Sequence, residues 1–341
     1  MRRDHERPNI FITNRVFPEV VAFLETYGNV DANPSPEPYP RRIFLEKASG
    51  ASAMMVFMND SLDNTTIENC PKLRVIAAAL KGYDNFDVAA CTKQGIWFTI
   101  VPDLLTTPTA ELAVALALGL ARKLTEGDRV VRSGEFAGWR PVLYGRGLSG
   151  STAGIFGMGN LGRALAKRLS AFEMEILYTD PIADRSGEQK QACGTRVELV
   201  ELLTRSDFVF LTAPLQPDTL HQFDSSTLAR MKPGSFLVNV GRGSVVDEEA
   251  VAGALERTQL AGYAADVFET EDWARSDRPR SINAALVRLG SKTLFTPHLG
   301  SAVADVRRKI ETRAAQNIAE ALRGRRPPDA INDVDLKPST N

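Results

Sequence analysis

The stretch Ala153-Gly-Ile-Phe-Gly-Met-Gly-Asn-Leu-Gly162 carries the strongest structural signal in the chain. The apolar run at 152–156 has the character of a buried strand, and 163–171 has the apolar rhythm of a helix. Between them Gly157, Gly159 and Gly162 stand in G-x-G-x-x-G spacing, with Asn160 and Leu161 at the mouth of the helix. Gly157 suits the tight turn, Gly159 lets backbone approach a pyrophosphate, and Gly162 lets helix and strand pack closely. The free N–H groups and positive dipole end of the helix then face the phosphates. Alone this spacing is a weak signal. Here a second apolar run, 174–178, leads to Asp180, eighteen residues past Gly162, where a carboxylate hydrogen-bonds the adenosine ribose. A carboxylate there repels a 2′-phosphate, so the expected cofactor is NAD rather than NADP, a preference that the nearby Arg185 softens.

Outward from this motif, strands alternate with helices along the chain. Apolar runs at 9–13, 53–57, 73–79 and 96–100 precede the glycine motif, and runs at 208–212, 235–239, 262–266 and 294–296 follow it. Such alternation predicts α/β architecture with doubly wound parallel sheets. The expected arrangement is two Rossmann-like or flavodoxin-like domains with a cleft between them. A substrate-binding domain takes 1–103 plus 302–341, and a nucleotide-binding domain takes 104–301. Four alternating prolines in 33–40 exclude helix and predict an extended surface loop. Thr107-Pro108 starts a helix, apolar almost all round, that runs to about 122 and forms the first crossing between domains. A long helix at 302–322 returns to the first domain, and from Gly324 prolines and polar residues predict a loose tail.

With 341 residues, the chain can bury two cores. A net charge of −1 provides no positive field for nucleic acid or an anionic membrane. The longest apolar run, 112–121, is too short to span a bilayer, and no signal region follows Met1. Cys70, Cys91 and Cys193 lack metal-binding or disulfide spacing and suit a reducing cytoplasm, so no metal is expected.

Three polar stations follow predicted strands: Asn239-Val-Gly-Arg-Gly-Ser-Val-Val-Asp247, Ala265-Asp-Val-Phe-Glu-Thr-Glu-Asp272 and Phe295-Thr-Pro-His-Leu-Gly-Ser301. A histidine with a carboxylate makes a general base with an orienting partner, and an arginine clamps a small oxyanion. Together with Thr212-Ala213-Pro214, which ends another strand, these stations belong at the carboxyl ends of one sheet, where open α/β sheets bind ligands.

In this order and spacing the motifs closely resemble the D-2-hydroxyacid dehydrogenase family, over about 9–322. The resemblance implies Arg242, Glu271 and His298 as the catalytic set, Glu271 being preferred to Glu269. It implies Asp266 as the acid that holds the nicotinamide amide. Thr212, Ala213, Pro214, Val240, Gly241, Arg242, Asp266, His298 and Ser301 complete the cofactor contacts. It also implies a homodimer built on the nucleotide domain. Within the family, Ala78-Ala-Leu-Lys-Gly-Tyr-Asp-Asn-Phe-Asp87, Arg132-Ser-Gly-Glu-Phe-Ala-Gly-Trp-Arg140 and Glu271-Asp-Trp-Ala-Arg-Ser-Asp-Arg-Pro-Arg280 are similar to the phosphonate (phosphite) dehydrogenases, as are Ala53-Met-Met-Val-Phe-Met58 and Val101-Pro-Asp-Leu-Leu. That similarity implies phosphite as substrate and Met58, Lys81, Gly82, Trp139, Tyr144 and Ser301 as pocket residues, with Trp139 and Tyr144 closing the pocket. Lys81 stands where a small residue is usual, and adds a second cation suited to a dianion. His298 is the expected base; Arg242 ranks second, because a guanidinium almost never loses its proton. The alternatives are a D-2-hydroxyacid dehydrogenase of the glyoxylate or hydroxypyruvate type, and an NAD-sensing corepressor-like binding protein with the same three residues.

Overall fold

The computed structural model describes residues 7–180 and 194–334. Pro181, Arg185 and Cys193 lie outside the described residues, as does the segment before Arg7. The chain divides into two compact units: Met1–Leu105 with Trp273–Ser276 and Val303–Asn341, and Thr106–Asp272 with Asp277–Ala302.

The first unit is built on a parallel sheet of β1 (Asn9–Ile12), β2 (Asn29–Ala32), β3 (Ala53–Val56), β4 (Val75–Ala78) and β5 (Trp97–Thr99), in the order 2-1-3-4-5. This is the flavodoxin-like order. Successive side chains leave a strand on opposite faces, so Ile10 and Ile12 enter one core while Phe11 enters the other. One face is covered by the helices Arg41–Gly50, Asn64–Glu68 and Val88–Lys93. The other is covered by Pro18–Glu25 and Ala304–Leu322.

The second unit holds a parallel sheet of β6 (Thr152–Phe156), β7 (Glu175–Thr179), β8 (Thr195–Arg196), β9 (Phe208–Leu211), β10 (Ser235–Asn239), β11 (Leu260–Ala265) and β12 (Thr293–Phe295). Their order among the described residues is 12-11-10-9-6-7-8. The direction of winding reverses between β6 and β9, so the loops that leave these two strands part there and open a crevice. The apolar helix Thr106–Ala121 packs with Asn160–Ser170 on one face. Leu199–Arg205, Ser225–Ala229 and Glu248–Glu256 cover the other. No described helix is long and apolar enough to cross a membrane.

The main departures from the sequence expectations are a strand, a helix and the tail. β2 was not expected, because Asn29-Val-Asp-Ala32 is a half-exposed edge strand without an apolar run. The helix Leu124–Arg132 was not expected either; it has no fully buried residue. The tail is not loose as far as Val334. Asp329 accepts from Arg313 and Asn317, the Asn332 side chain accepts from the Phe98 N–H, and Ile331 N–H donates to the Phe98 carbonyl. This segment supplies the partners that the outer edge of β5 would otherwise lack.

Candidate active site

The glycine turn is formed as its spacing requires. Gly157 has φ +99°, and a Cβ on it would lie 2.8 Å from the Ala213 nitrogen. A Cβ on Gly162 would lie 2.1 Å from the Gly157 carbonyl oxygen, so helix Asn160–Ser170 can approach β6 only through glycine. At Gly159 a Cβ would meet no described protein atom within 4 Å, and Gly159, as the N-cap residue, brings no side chain to the helix start. A helix N-terminus beside an open backbone fits a pyrophosphate. Thr212 Oγ1 donates to the Gly157 carbonyl at 2.6 Å, tying the β9 loop to the β6 loop across the crevice. Ala213 and Val240 are buried beside it, and Pro214 is exposed. Asp180, at the tip of β7, accepts the Met158 N–H at 2.6 Å, which places a carboxylate against the glycine turn. The residues present therefore fit a dinucleotide.

The three polar stations meet within this unit. His298 has φ +56° just past β12, and its Nδ1 lies 2.7 Å from Glu271 Oε2. The other Glu271 oxygen accepts the Phe268 N–H at 2.8 Å. A carboxylate is an acceptor only, so Nδ1 carries the proton of this contact. It is Glu271, not Glu269, that reaches His298; Glu269 Oε2 lies 2.8 Å from His221 Nε2.

Arg242 follows β10 in extended conformation. Asn239, buried at the end of that strand, donates to the Arg242 carbonyl at 2.9 Å and accepts the Gly241 N–H at 3.1 Å. A Cβ on Gly241 would lie 2.6 Å from the Ala213 carbonyl oxygen, and one on Gly243 would lie 1.9 Å from the Phe268 carbonyl carbon. The glycines on either side of Arg242 thus let its turn press against the loop after β9 and against the acidic turn. Asp266 is buried at the end of β11. Its carboxylate accepts from Thr296 Oγ1 (2.6 Å), Leu299 N–H (2.6 Å) and Gly300 N–H (2.8 Å), which anchors the turn carrying His298. Burial pushes this carboxyl above the usual carboxylate range, and those three donors oppose the shift. Ser301 is buried at the end of the same turn.

The remaining candidates are placed differently. Met58, Lys81 and Gly82 are partly buried on loops after β3 and β4 of the first unit, and Lys81 Nζ pairs with Asp103 at 3.2 Å. Trp139 and Tyr144 are 82% and 74% exposed on an irregular stretch after Leu124–Arg132, so the chain alone does not pack them into the corner formed by Arg242, Glu271 and His298. Cys70 and Cys91 are free and buried; burial raises both thiols, Cys91 to about 12, which leaves them protonated and unreactive. Sequence reasoning passes over Glu248, His221 and the buried side chain of Asn239. It weighs Glu269 only as an alternative partner for His298. A lone histidine 48 positions from its acid gives no local signal.

Residues 114–300 match the family described as D-isomer specific 2-hydroxyacid dehydrogenase, NAD binding domain. The chain is 37% identical over 332 residues to a glyoxylate reductase of Thermococcus litoralis, covering 96% of this chain and 97% of that one. It is 38% identical over 337 residues to a glyoxylate reductase of Pyrococcus horikoshii, covering 97% and 98%. Among solved structures, a Thermus thermophilus protein superposes with a TM-score of 0.84 at 32% identity, over 95% of this chain and 100% of that one. A glyoxylate reductase from Paecilomyes thermophila gives 0.81 at 25%, over 95% and 98%. The chain belongs to the D-isomer specific 2-hydroxyacid dehydrogenase family. It is an NAD-dependent oxidoreductase whose second unit is the NAD-binding domain.

Proposed function

We propose that this family member oxidises phosphite to phosphate. The P–H bond breaks, a water oxygen bonds to phosphorus, and the water proton leaves to a base. Bound NAD supplies the hydride acceptor. His298 is that base: Glu271 holds the proton on Nδ1, so Nε2 is free to take the one from water. Arg242 binds the oxyanion, and its charge polarises phosphorus toward the incoming water. Lys81 is the second cation this chemistry calls on. A unit charge pair at ~4 Å gains roughly 4 kcal/mol at an effective dielectric of ~20, so a dianion gains from two cations where a carboxylate needs one. The observation that favours phosphite within the family is Lys81 in Leu-Lys-Gly-Tyr-Asp-Asn-Phe-Asp, with the segment Glu271–Arg280.

A second reading is reduction of glyoxylate or hydroxypyruvate, favoured by the naming of relatives 34–38% identical as glyoxylate reductases. There His298 would donate a proton to the substrate carbonyl oxygen and Arg242 would hold the carboxylate. The deciding experiment measures NADH formed from phosphite and NAD beside NADH consumed with glyoxylate and hydroxypyruvate. Turnover on phosphite, with Lys81→Ala raising its KM about tenfold or more, supports the first reading; turnover on the oxoacids alone replaces it with the second. Asp180 carries the NAD preference in either case, so Asp180→Ala should raise the NADP/NAD efficiency ratio. As the family resemblance implies, the functional unit is taken to be a homodimer, and sedimentation velocity tests its mass.

A further inference from the structure

Two residues from the acid facing His298, the same turn carries a second histidine–carboxylate pair that the proposed chemistry does not use. We infer that His221, Glu269 and Glu248 are positioning residues, a clamp between the Arg242 turn and the Glu271 turn that holds Glu271 against His298. The inference rests on His298 and Glu271 being the acid–base pair of this enzyme.

The clamp is reciprocal. Glu248 N–H donates to Glu269 Oε1 at 3.1 Å, and Glu269 N–H donates to Glu248 Oε1 at 3.0 Å. Glu248 Oε2 accepts the Asn283 N–H at 2.9 Å. Beside them Ser244 N–H donates to Asp272 Oδ2 at 2.7 Å. His221 joins both sides: its backbone N–H donates to the Ser244 carbonyl at 2.8 Å, and its Nε2 meets Glu269 Oε2 at 2.8 Å. One segment, 242–248, starts with Arg242; the other, 268–272, contains Glu271. Gly243 lets the two approach, since any side chain there would collide with the Phe268 carbonyl carbon.

Glu248, Glu269 and Asp272 are all buried, at 4%, 7% and 3% exposure. Three carboxylates so close repel one another, and burial and then the neighbouring acids raise the Glu248 carboxyl. A cluster of this kind is costly to bury unless its hydrogen bonds are made. Arg278, also buried, donates to the Thr270 carbonyl at 2.9 Å and faces Asp272 electrostatically. The position of Glu269 passes to Glu271 through one short turn, in which Glu271 Oε1 accepts the Phe268 N–H. A loosened clamp therefore moves the acid that holds the His298 proton.

The test uses the full chain with His221→Asn, Glu269→Ala and Glu269→Gln. A histidine Nδ1–H bonded to a carboxylate gives a strongly deshielded proton resonance. The chain has three histidines, so His298→Asn assigns the signal of the pair. His221→Asn and Glu269→Ala should broaden or abolish the His298 signal and lower kcat about tenfold or more, with KM for NAD unchanged. Glu269→Gln, whose amide oxygen can still accept the Glu248 N–H, should restore most of both. Asparagine tolerates the positive φ of residue 221, so that variant should fold even if Glu269→Ala does not. An unchanged His298 signal in both loss variants would overturn the clamp, whether or not kcat fell. If no substrate turned over but the signal still responded, the clamp would stand and the proposed reaction would fall.

Discussion

The two histidine–carboxylate pairs of the second unit are nearly identical by distance, 2.7 Å for His298–Glu271 and 2.8 Å for His221–Glu269, and both histidines have positive φ. They differ in what the acid does with its second oxygen. Glu271 turns back to a backbone N–H of its own turn, and its side chain stays 31% exposed. Glu269 reaches across to the Glu248 N–H on the segment that starts with Arg242, and its side chain is 10% exposed. An acid whose second oxygen bonds within its own turn ties no second segment, whereas an acid bonded across two segments holds their backbones together. The distance alone therefore does not tell the proposed acid–base pair from the proposed clamp; the bond made by the acid's second oxygen does.

The sharpest way to break this comparison is to remove each histidine in turn. His298→Asn should lower kcat ~10²–10⁴-fold, the range for a lost general acid–base group, far more than His221→Asn. Equal losses would erase the distinction. Next, Glu271→Gln should cost about ten- to a hundredfold in kcat with little change in KM for NAD, because it disturbs the proton on Nδ1 rather than the cofactor's seat. Steady-state kinetics of both variants decide this. Gly243→Ala should loosen both turns together. Its new Cβ has no room against the Phe268 backbone, so thermal unfolding should show a loss of about 2 kcal/mol or more, with a fall in kcat.

The smallest effect concerns a buried acid with no histidine partner. Asp60 of the first unit accepts the Phe57 N–H at 2.8 Å and the Thr13 hydroxyl, and burial raises its carboxyl to about 6. The folded state then holds this proton more tightly than the unfolded chain, so stability falls as pH rises from about 4 to about 6 and stays lower above. Asp60→Asn can still accept both donors and should raise the melting temperature at pH 8 by a few degrees, with the gain vanishing near pH 4. A gain of equal size at both pH values would mean that ionisation is not its source.

Much of this was legible in the sequence. The runs at 152–156, 208–212 and 235–239 are apolar on both faces because a parallel sheet covered by helices buries both, and runs of that kind need no tertiary context to be recognised. The glycine spacing was equally plain, since each glycine answers a local steric demand. β2 and Leu124–Arg132 were missed because edge strands and exposed helices carry little hydrophobic signal. The prolines of 324–334 point to a loose tail because they are visible locally, while the partners of Asp329 and Asn332, Arg313, Asn317 and Phe98, lie elsewhere in the chain.

By itself the sequence determined the βα alternation and the dinucleotide turn. Those features rest on hydrophobic periodicity and backbone sterics, which act over a few residues. Glu271 meets His298 as the family resemblance implies, and tertiary structure alone decided that Glu269 meets His221 and that Asp266 anchors the His298 turn. It also decided that Glu248 and Glu269 bind each other's backbone. A hydrogen bond between residues far apart in the chain depends on where two turns stop, and that is set by how the helices and sheet pack beneath them.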